Sequence, residues 1–427
     1  MRHLMFATAV LAAVVSPVMA SDPLPRADPE SVGMSSARLQ RIDDRLTADV
    51  ETGLIPGAVV AIARRGKLVY FKPFGYRDKA AGSPMTSDAI FSIASMTKPL
   101  VSVGTMMLFE EGTLALGDPV AKHIPQLGKM PVAKARGNVA VGAQLETVAQ
   151  QRPMTVQDLL RHTSGLLYGG RGSTSLHKLY PASSTAVGLG MTQAEFIDKL
   201  AALPLAYQPG TVWDYSLATD VLGIVVENVA GASLGSMLRS KLFVPLGMPD
   251  TGFVVPQEKA SRYAKPLPLN PITGSPQSMP MDATKPTKFE CGGACGVSTA
   301  GDYLRFGQML LNEGSLDGVR ILGSRTVRYM TTDHLGGEIE NNVQSIEPQR
   351  AGYGFGLGFA VRNQPGVAAT VGSAGDYFWN GAFGTAFWVD PEEQLVVVLM
   401  MQAPGSLEIR QQYRLLLNAF VYQAIEQ

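Results

Sequence analysis

The sequence predicts an α/β (α+β) fold: an antiparallel sheet built from both ends of the chain, flanked by helices, with a mainly α-helical domain inserted between its halves. Three observations carry that expectation. Apolar, β-prone runs bounded by turn residues occur near both ends of the chain. The stretch between them is dominated by helical periodicity, and long loops rich in proline or glycine separate its helices. The expected boundaries are residues 21–112 and 291–427 for the discontinuous sheet part and 113–290 for the insertion.

Taken in order, the chain begins with Arg2 and His3, an apolar run over residues 4–15, and small residues around Ala20. That pattern predicts a signal peptide over residues 1–20, too short to span a bilayer, and an exported, periplasmic or secreted mature chain of 427 − 20 = 407 residues. Ser35 or Ser36 is expected to cap a helix over residues 37–46. Residues 57–63 and 67–71 read as two strands of a hairpin turning at Arg64-Arg65-Gly66, and residues 100–108 as a buried helix. Loops are expected at residues 128–152, 169–190 and 261–293, the last with six prolines from Pro266 to Pro286. A helix follows over residues 217–230. Strands are then expected at residues 356–361, 382–389 and 394–400, with a turn at Asp390-Pro391-Glu392-Glu393 and a closing helix over residues 408–425. No later apolar run approaches spanning length, so no stable membrane insertion is expected after signal cleavage.

Lys+Arg and Asp+Glu are balanced at 36 each, leaving no net field to draw in nucleic acid or an anionic membrane. No basic run is interleaved with aromatics either, so nucleic-acid binding is not expected. The two cysteines lie in Cys291-Gly-Gly-Ala-Cys295, compatible with a small disulfide loop in an exported chain or with two free thiols. With no histidine nearby they cannot complete a zinc site, and neither metal nor organic cofactor is expected.

The candidate chemistry starts at Ser95-Met96-Thr97-Lys98, before an apolar helical run. A serine hydroxyl must lose its proton to become a nucleophile, and on a helix a lysine three residues on shares its face. Desolvation favours the neutral amine, which can accept that proton. A second Ser-x-x-Lys, Ser175 to Lys178, sits in loop composition and is the weaker candidate. Tyr215 stands before the 217–230 helix, and beside Lys98 its phenolate would be favoured as a base. Trp379-Asn380-Gly381 opens a strand, where the glycine permits close approach of a substrate. The amides of Ser95 and Ala382 could then form an oxyanion hole. His162 reads as a structural residue before a turn, and His123 as loop surface.

The order Ser95-x-x-Lys98, Tyr215, Trp379-x-Gly381 resembles the serine β-lactamase and penicillin-binding-protein superfamily, with its β-lactamase/transpeptidase-like fold. It resembles class C β-lactamases, and most closely the family VIII carboxylesterases. Segments 92–98, 159–166, 213–216, 296–303 and 387–391 extend the likeness over almost the whole mature chain. Two departures set the subtype. Class C enzymes carry Tyr-x-Asn, but Leu217 stands third here, and their strand lysine is replaced by Trp379. Neither side chain supplies the amide or the charge that holds a penicillin or D-alanyl peptide, a loss worth about 1.5–3 kcal/mol per charged hydrogen bond. The resemblance therefore implies hydrolysis of short-chain carboxylic esters through an acyl-enzyme on Ser95. Lys98 and Tyr215 share the base role, and weak β-lactam turnover is left open.

Alternatives are a class C-type β-lactamase or D-alanyl-D-alanine carboxypeptidase, and a non-catalytic peptidoglycan-binding relative. A further rival is the Gly-x-Ser-x-Gly at Ser233, with Asp333 and His334 downstream as in an α/β-hydrolase. That motif needs a preceding strand, whereas residues 220–230 read as a helix ended by Gly231, with Ser233 capping the next one.

Overall fold

The computed structural model describes residues 22–134 and 145–426. The signal peptide expected over residues 1–20 and part of the first long loop lie outside the described residues.

The first helix, α1 (Ser36–Glu51), starts where the side chain of Ser35 accepts the amide of Arg38, and it buries Leu39, Ile42, Leu46 and Val50 along one face. The hairpin follows as β1 (Gly57–Arg64) and β2 (Lys67–Asp78). Its turn takes Arg65 and Gly66 through positive φ (50° and 71°), the twist that two-residue hairpins favour. A short β3 (Ser83–Pro84) closes this edge. From the far end of the chain come β4 (Tyr353–Phe355), β5 (Ala360–Arg362), β6 (Tyr377–Asn380), β7 (Ala386–Asp390) and β8 (Leu395–Met401). The eight strands run β4-β5-β6-β7-β8-β1-β2-β3. Every pairing is antiparallel, and β1 lies against β8 with Ala58 opposite Met401.

The central strands are buried on both faces, which is why they read as continuous apolar runs instead of alternating ones. Ala58, Val60 and Ile62 of β1, with Val397 and Leu399 of β8, pack against α1 and the C-terminal helix. Val59, Ala61 and Ala63, with Val396 and Val398, face the larger core on the other side. There α2 (Thr97–Glu110), α3 (Ser184–Gly190), α4 (Ala218–Ala230) and α5 (Ala300–Leu311) lie, with α5 packed on β1, β7 and β8 and α2 packed on α4. The C-terminal helix is α6 (Leu407–Tyr422).

Three sequence expectations are corrected. The run 356–361 is not one strand: Gly358 at φ 99° turns the chain between β4 and β5. Trp379 and Asn380 end β6 and do not open the strand leading to Val389. A turn over residues 381–385, closed by Gly381 N–H donating to Thr385 O at 2.8 Å and by Gly384 at φ 109°, separates β6 from β7. The loop at 169–190 ends in α3, started by Ser183 accepting the amide of Ala186.

Candidate active site

Ser95 sits on a 3-10 turn (Ala94–Met96) that runs directly into α2, so Ser95 and Lys98 share a face as their spacing predicts. Ala94 is forced to φ 44°, a conformation unfavourable for a residue with a Cβ. Several bonds hold it there. Ile93 N–H donates to Gly296 O at 3.0 Å, Thr97 Oγ1 donates to Ala94 O at 2.6 Å, and Tyr303 OH donates to Met96 O at 2.7 Å.

Lys98 is 1% exposed, and its Nζ donates to Gly293 O at 2.7 Å and to Tyr168 OH at 3.1 Å. A buried amine of this kind requires partners for its donors and a nearby negative charge. The charge is Asp220, on the first turn of α4, reached through a relay. Ser184 Oγ donates its single proton to Asp220 Oδ2 at 2.6 Å, so Tyr168 must be the donor to Ser184 at 2.6 Å. Asp220 Oδ1 accepts the amide of Gly293 at 2.9 Å, which closes a ring back to Lys98. Burial pushes the Asp220 carboxyl above its ordinary range, and Lys98 and these donors oppose the shift. Burial likewise raises the Tyr168 phenol, chiefly by desolvation and then by the charge of Asp220.

Tyr215 follows a two-residue strand (Val212–Trp213), and its ring centroid lies 4.6 Å from Lys98 Nζ. The residue is 7% exposed, and among the described residues its hydroxyl finds no hydrogen-bond partner. Aromatic rings fix it: His162 at 5.0 Å, Tyr168 at 5.3 Å and Trp379 at 5.3 Å between centroids. Arg171 stands 5.4 Å over the same ring. His162 lies in a turn, as expected, with its ring packed on Tyr215. It is buried at φ 56°, accepts the amide of Asp214 on its carbonyl at 3.0 Å, and is held well below its usual pKa by burial and then by Lys98.

The remaining predicted positions fall in two groups. Trp379 is 1% exposed and packs on the Tyr215 ring, and Leu217 is fully buried at the start of α4, so neither of these predicted substrate-binding side chains presents a surface. Gly381 serves packing as much as access: a Cβ there would lie 2.4 Å from Ile93 O and 2.0 Å from Thr385 Oγ1. The glycine lets the 381–385 turn close onto the Ser95 segment. Among the described residues no hydrogen bond between separate segments occupies the backbone amide of Ser95 or of Ala382.

Tyr168, Ser184, Asp220 and Gly293 were not anticipated. They come from four separate segments, and only Asp220, an acid in the first helical turn, carries any local signal, which reads equally as helix capping.

The rival nucleophiles sit apart from this arrangement. Ser233 caps a helix (Leu234–Leu238), accepting the amide of Ser236, and the segment before it is α4, which removes the strand a nucleophile elbow requires. Ser175 lies in the turn before a 3-10 helix (His177–Leu179). His123 ends a short helix (Val120–His123) with its ring largely buried near Asp118, not on a loop surface. Cys291 and Cys295 form a disulfide, resolving the alternative left open by the sequence. A separate cavity, lined by Glu347, Arg362, Asp376, Phe378, Asn380 and Arg414, lies behind β6. Phe378 and Asn380 alternate with Trp379 along the strand, which puts that cavity on the opposite face from Tyr215.

A family profile described as Beta-lactamase matches residues 42–419. Protein Rv1367c of Mycobacterium tuberculosis is 37% identical over 364 residues, covering 84% of this chain and 88% of that protein. Esterase EstB of Burkholderia gladioli is 31% identical over 414 residues, covering 90% of this chain and 97% of its own. Among solved structures, EstCE1, described as a hydrolase with promiscuous acyltransferase activity, superposes with a TM-score of 0.70 at 26% identity, covering 92% of this chain and 99% of that one.

Proposed function

Because the chain belongs to the Beta-lactamase family, and has its β-lactamase/transpeptidase-like fold, we propose that it is a serine carboxylesterase cleaving short-chain esters through an acyl-enzyme on Ser95. The observation that carries the proposal is Lys98 Nζ, buried and held 4.6 Å from the Tyr215 ring, one helical turn after Ser95. The likeness to Esterase EstB over 90% of the chain supports the choice of ester over β-lactam. So does Trp379, an apolar wall on Tyr215 where a β-lactam-binding lysine would stand.

Ser95 Oγ attacks the ester carbonyl while its proton passes to the Lys98–Tyr215 pair. The carbonyl oxygen, now negative, rests on the amides of Ser95 and Ala382. Collapse breaks the bond to the alcohol, which departs with a proton from Tyr215. Water then attacks the acyl carbon by the same route in reverse and restores Ser95. Lys98 Nζ and the Tyr215 ring lie together, and the base role is assigned to the two jointly. The substrate is a small-molecule ester, and the ring of residues around Lys98 leaves no step that calls for a metal or an organic cofactor.

Export to the periplasm or outside the cell is part of the proposal, supported by the signal-like N-terminus and by the Cys291–Cys295 bridge. Among the described residues no single helix is long and apolar enough to cross a membrane.

A p-nitrophenyl phosphonate should label Ser95 stoichiometrically, located by peptide mass spectrometry, and Ser95→Ala should abolish both labelling and ester turnover. Lys98→Ala and Tyr215→Phe should each lose about two orders of magnitude or more in kcat. An active Ser95→Ala enzyme, or label elsewhere, would discard the assignment.

A further inference from the structure

The Cys291–Cys295 bridge takes no part in the chemistry above, yet the loop it closes and the glycine just after it hold the nucleophile segment at two points. Within the loop, Gly293 presents its carbonyl to Lys98 Nζ at 2.7 Å and its amide to Asp220 Oδ1 at 2.9 Å. Immediately after it, Gly296 accepts the amide of Ile93 at 3.0 Å and donates to Thr97 Oγ1 at 2.9 Å, bracketing Ser95. Val297 and Ser298 then pair with Ser92 and Phe91.

The loop fits its surroundings tightly. Both cysteines are fully buried, with Cα atoms 5.2 Å apart. A Cβ on Gly188 of α3 would come within 2.8 Å of Cys295 Sγ, and one on Gly293 within 2.1 Å of Ser184 Oγ. Such contacts demand glycine, and glycine is also the residue with the most conformational freedom to lose. The stretch Cys-Gly-Gly-Ala-Cys-Gly therefore has little of its own to keep the Gly293 carbonyl aimed at Lys98. A covalent link across it supplies that constraint.

We propose that Cys291 and Cys295 are positioning residues for the ester hydrolysis: their bridge fixes the Gly293 carbonyl as the acceptor of Lys98, so that opening it lowers turnover while every catalytic group remains. The inference rests on the assignment of Ser95 and Lys98 above. Opening is a two-electron reduction: a dithiol gives up two electrons and two protons, becoming a cyclic disulfide, and the bridge becomes two thiols.

The test uses the full chain in two forms: the Cys291→Ala/Cys295→Ala double variant, and wild type held with dithiothreitol until two thiols are counted. For each, kcat, KM and the pH profile of kcat/KM are measured on p-nitrophenyl butyrate, with circular dichroism to check the fold. The expected result is a fall in kcat of about tenfold or more with KM changed less than about threefold. One limb of the pH profile should also move by about half a unit or more, which a purely structural role would not cause. Reoxidation of the reduced wild type should restore kcat. A folded double variant with wild-type kcat and pH profile would overturn the inference. If the double variant does not fold, full activity in wild type carrying two counted thiols overturns it equally. Wild type that fails to turn over the ester or to take the phosphonate at Ser95 would remove the underlying assignment instead, so the two failures are distinguishable.

Discussion

At Lys98 a buried amine has its donors met by a carbonyl and a phenol, while its counter-charge on Asp220 lies two hydroxyl groups away. Breaking such an arrangement by removing one partner is far more costly than its net contribution to stability, because the other charge is left buried without compensation. Asp220→Asn keeps the shape of the site but removes the charge and reverses one donor. The expected loss is about 1.5–3 kcal/mol, read as a fall in kcat/KM of about tenfold to hundredfold in a protein whose circular dichroism is unchanged. Wild-type kinetics in Asp220→Asn would mean that Gly293 and Tyr168 suffice for Lys98. That Lys98 meets Tyr215 one turn after Ser95 was legible in the sequence, because the proposed chemistry fixes the residue types and, for the first two, their spacing. Tyr168, Ser184 and Gly293 were not, because hydrogen bonds that join separate segments leave no periodic trace.

The elements that the sequence rendered correctly are those with long apolar runs or capping side chains. β1 and β8 fall within one residue of their expected limits, and α1 starts one residue early and runs five residues past its expected end. The failures cluster where glycine turns the chain inside a β-prone run: at Gly358 between β4 and β5, and at Gly384 between β6 and β7. There, side-chain propensity continues as if for one strand while the backbone reverses. The second turn is held against Ile93, two residues before Ser95, by Thr385 Oγ1 donating to Ile93 O at 3.2 Å, so the missed boundary was also a missed feature of the site. On β6, Trp379 is packed between Tyr215, with ring centroids 5.3 Å apart, and Phe355 at 5.4 Å, with the Arg350 guanidinium 4.4 Å from its ring. Trp379→Lys therefore removes a core aromatic, a loss of about 3–5 kcal/mol, and sets a like charge beside Arg350. Ester turnover should fall and the melting temperature should drop by about 5 °C or more, measured by initial rates and thermal unfolding. An equally stable variant would contradict the packing role assigned to the tryptophan.

Over the whole molecule, the sheet joins the two ends of the chain through the β1–β8 pairing, and helices cover it on both faces. That architecture was readable because β-prone hairpins cluster at both ends of the chain while the stretch between them reads as mainly helical. The position of the site was not, since it depends on how α2, α3 and α4 meet beyond the sheet. The same packing gives stability a pH dependence through His162. Burial keeps its imidazole neutral, with Lys98 adding to the effect, whereas in the unfolded chain it takes a proton below about pH 6.5. Its contribution is thus fully present above that value and is lost as pH falls below it, by at most about 1.4 kcal/mol per pH unit. His162→Asn tolerates φ 56° and does not titrate. The gap in melting temperature between wild type and variant should narrow from pH 8 to pH 5. The other histidines are common to both proteins and cancel. A constant gap would mean that His162 is protonated in the folded state.

The most direct test of the central claim is the initial rate on p-nitrophenyl butyrate beside that on nitrocefin, for wild type and Ser95→Ala. Rapid ester turnover, little or no nitrocefin turnover and an inert variant are the predicted result. Nitrocefin turnover exceeding ester turnover, or an active Ser95→Ala enzyme, would contradict it.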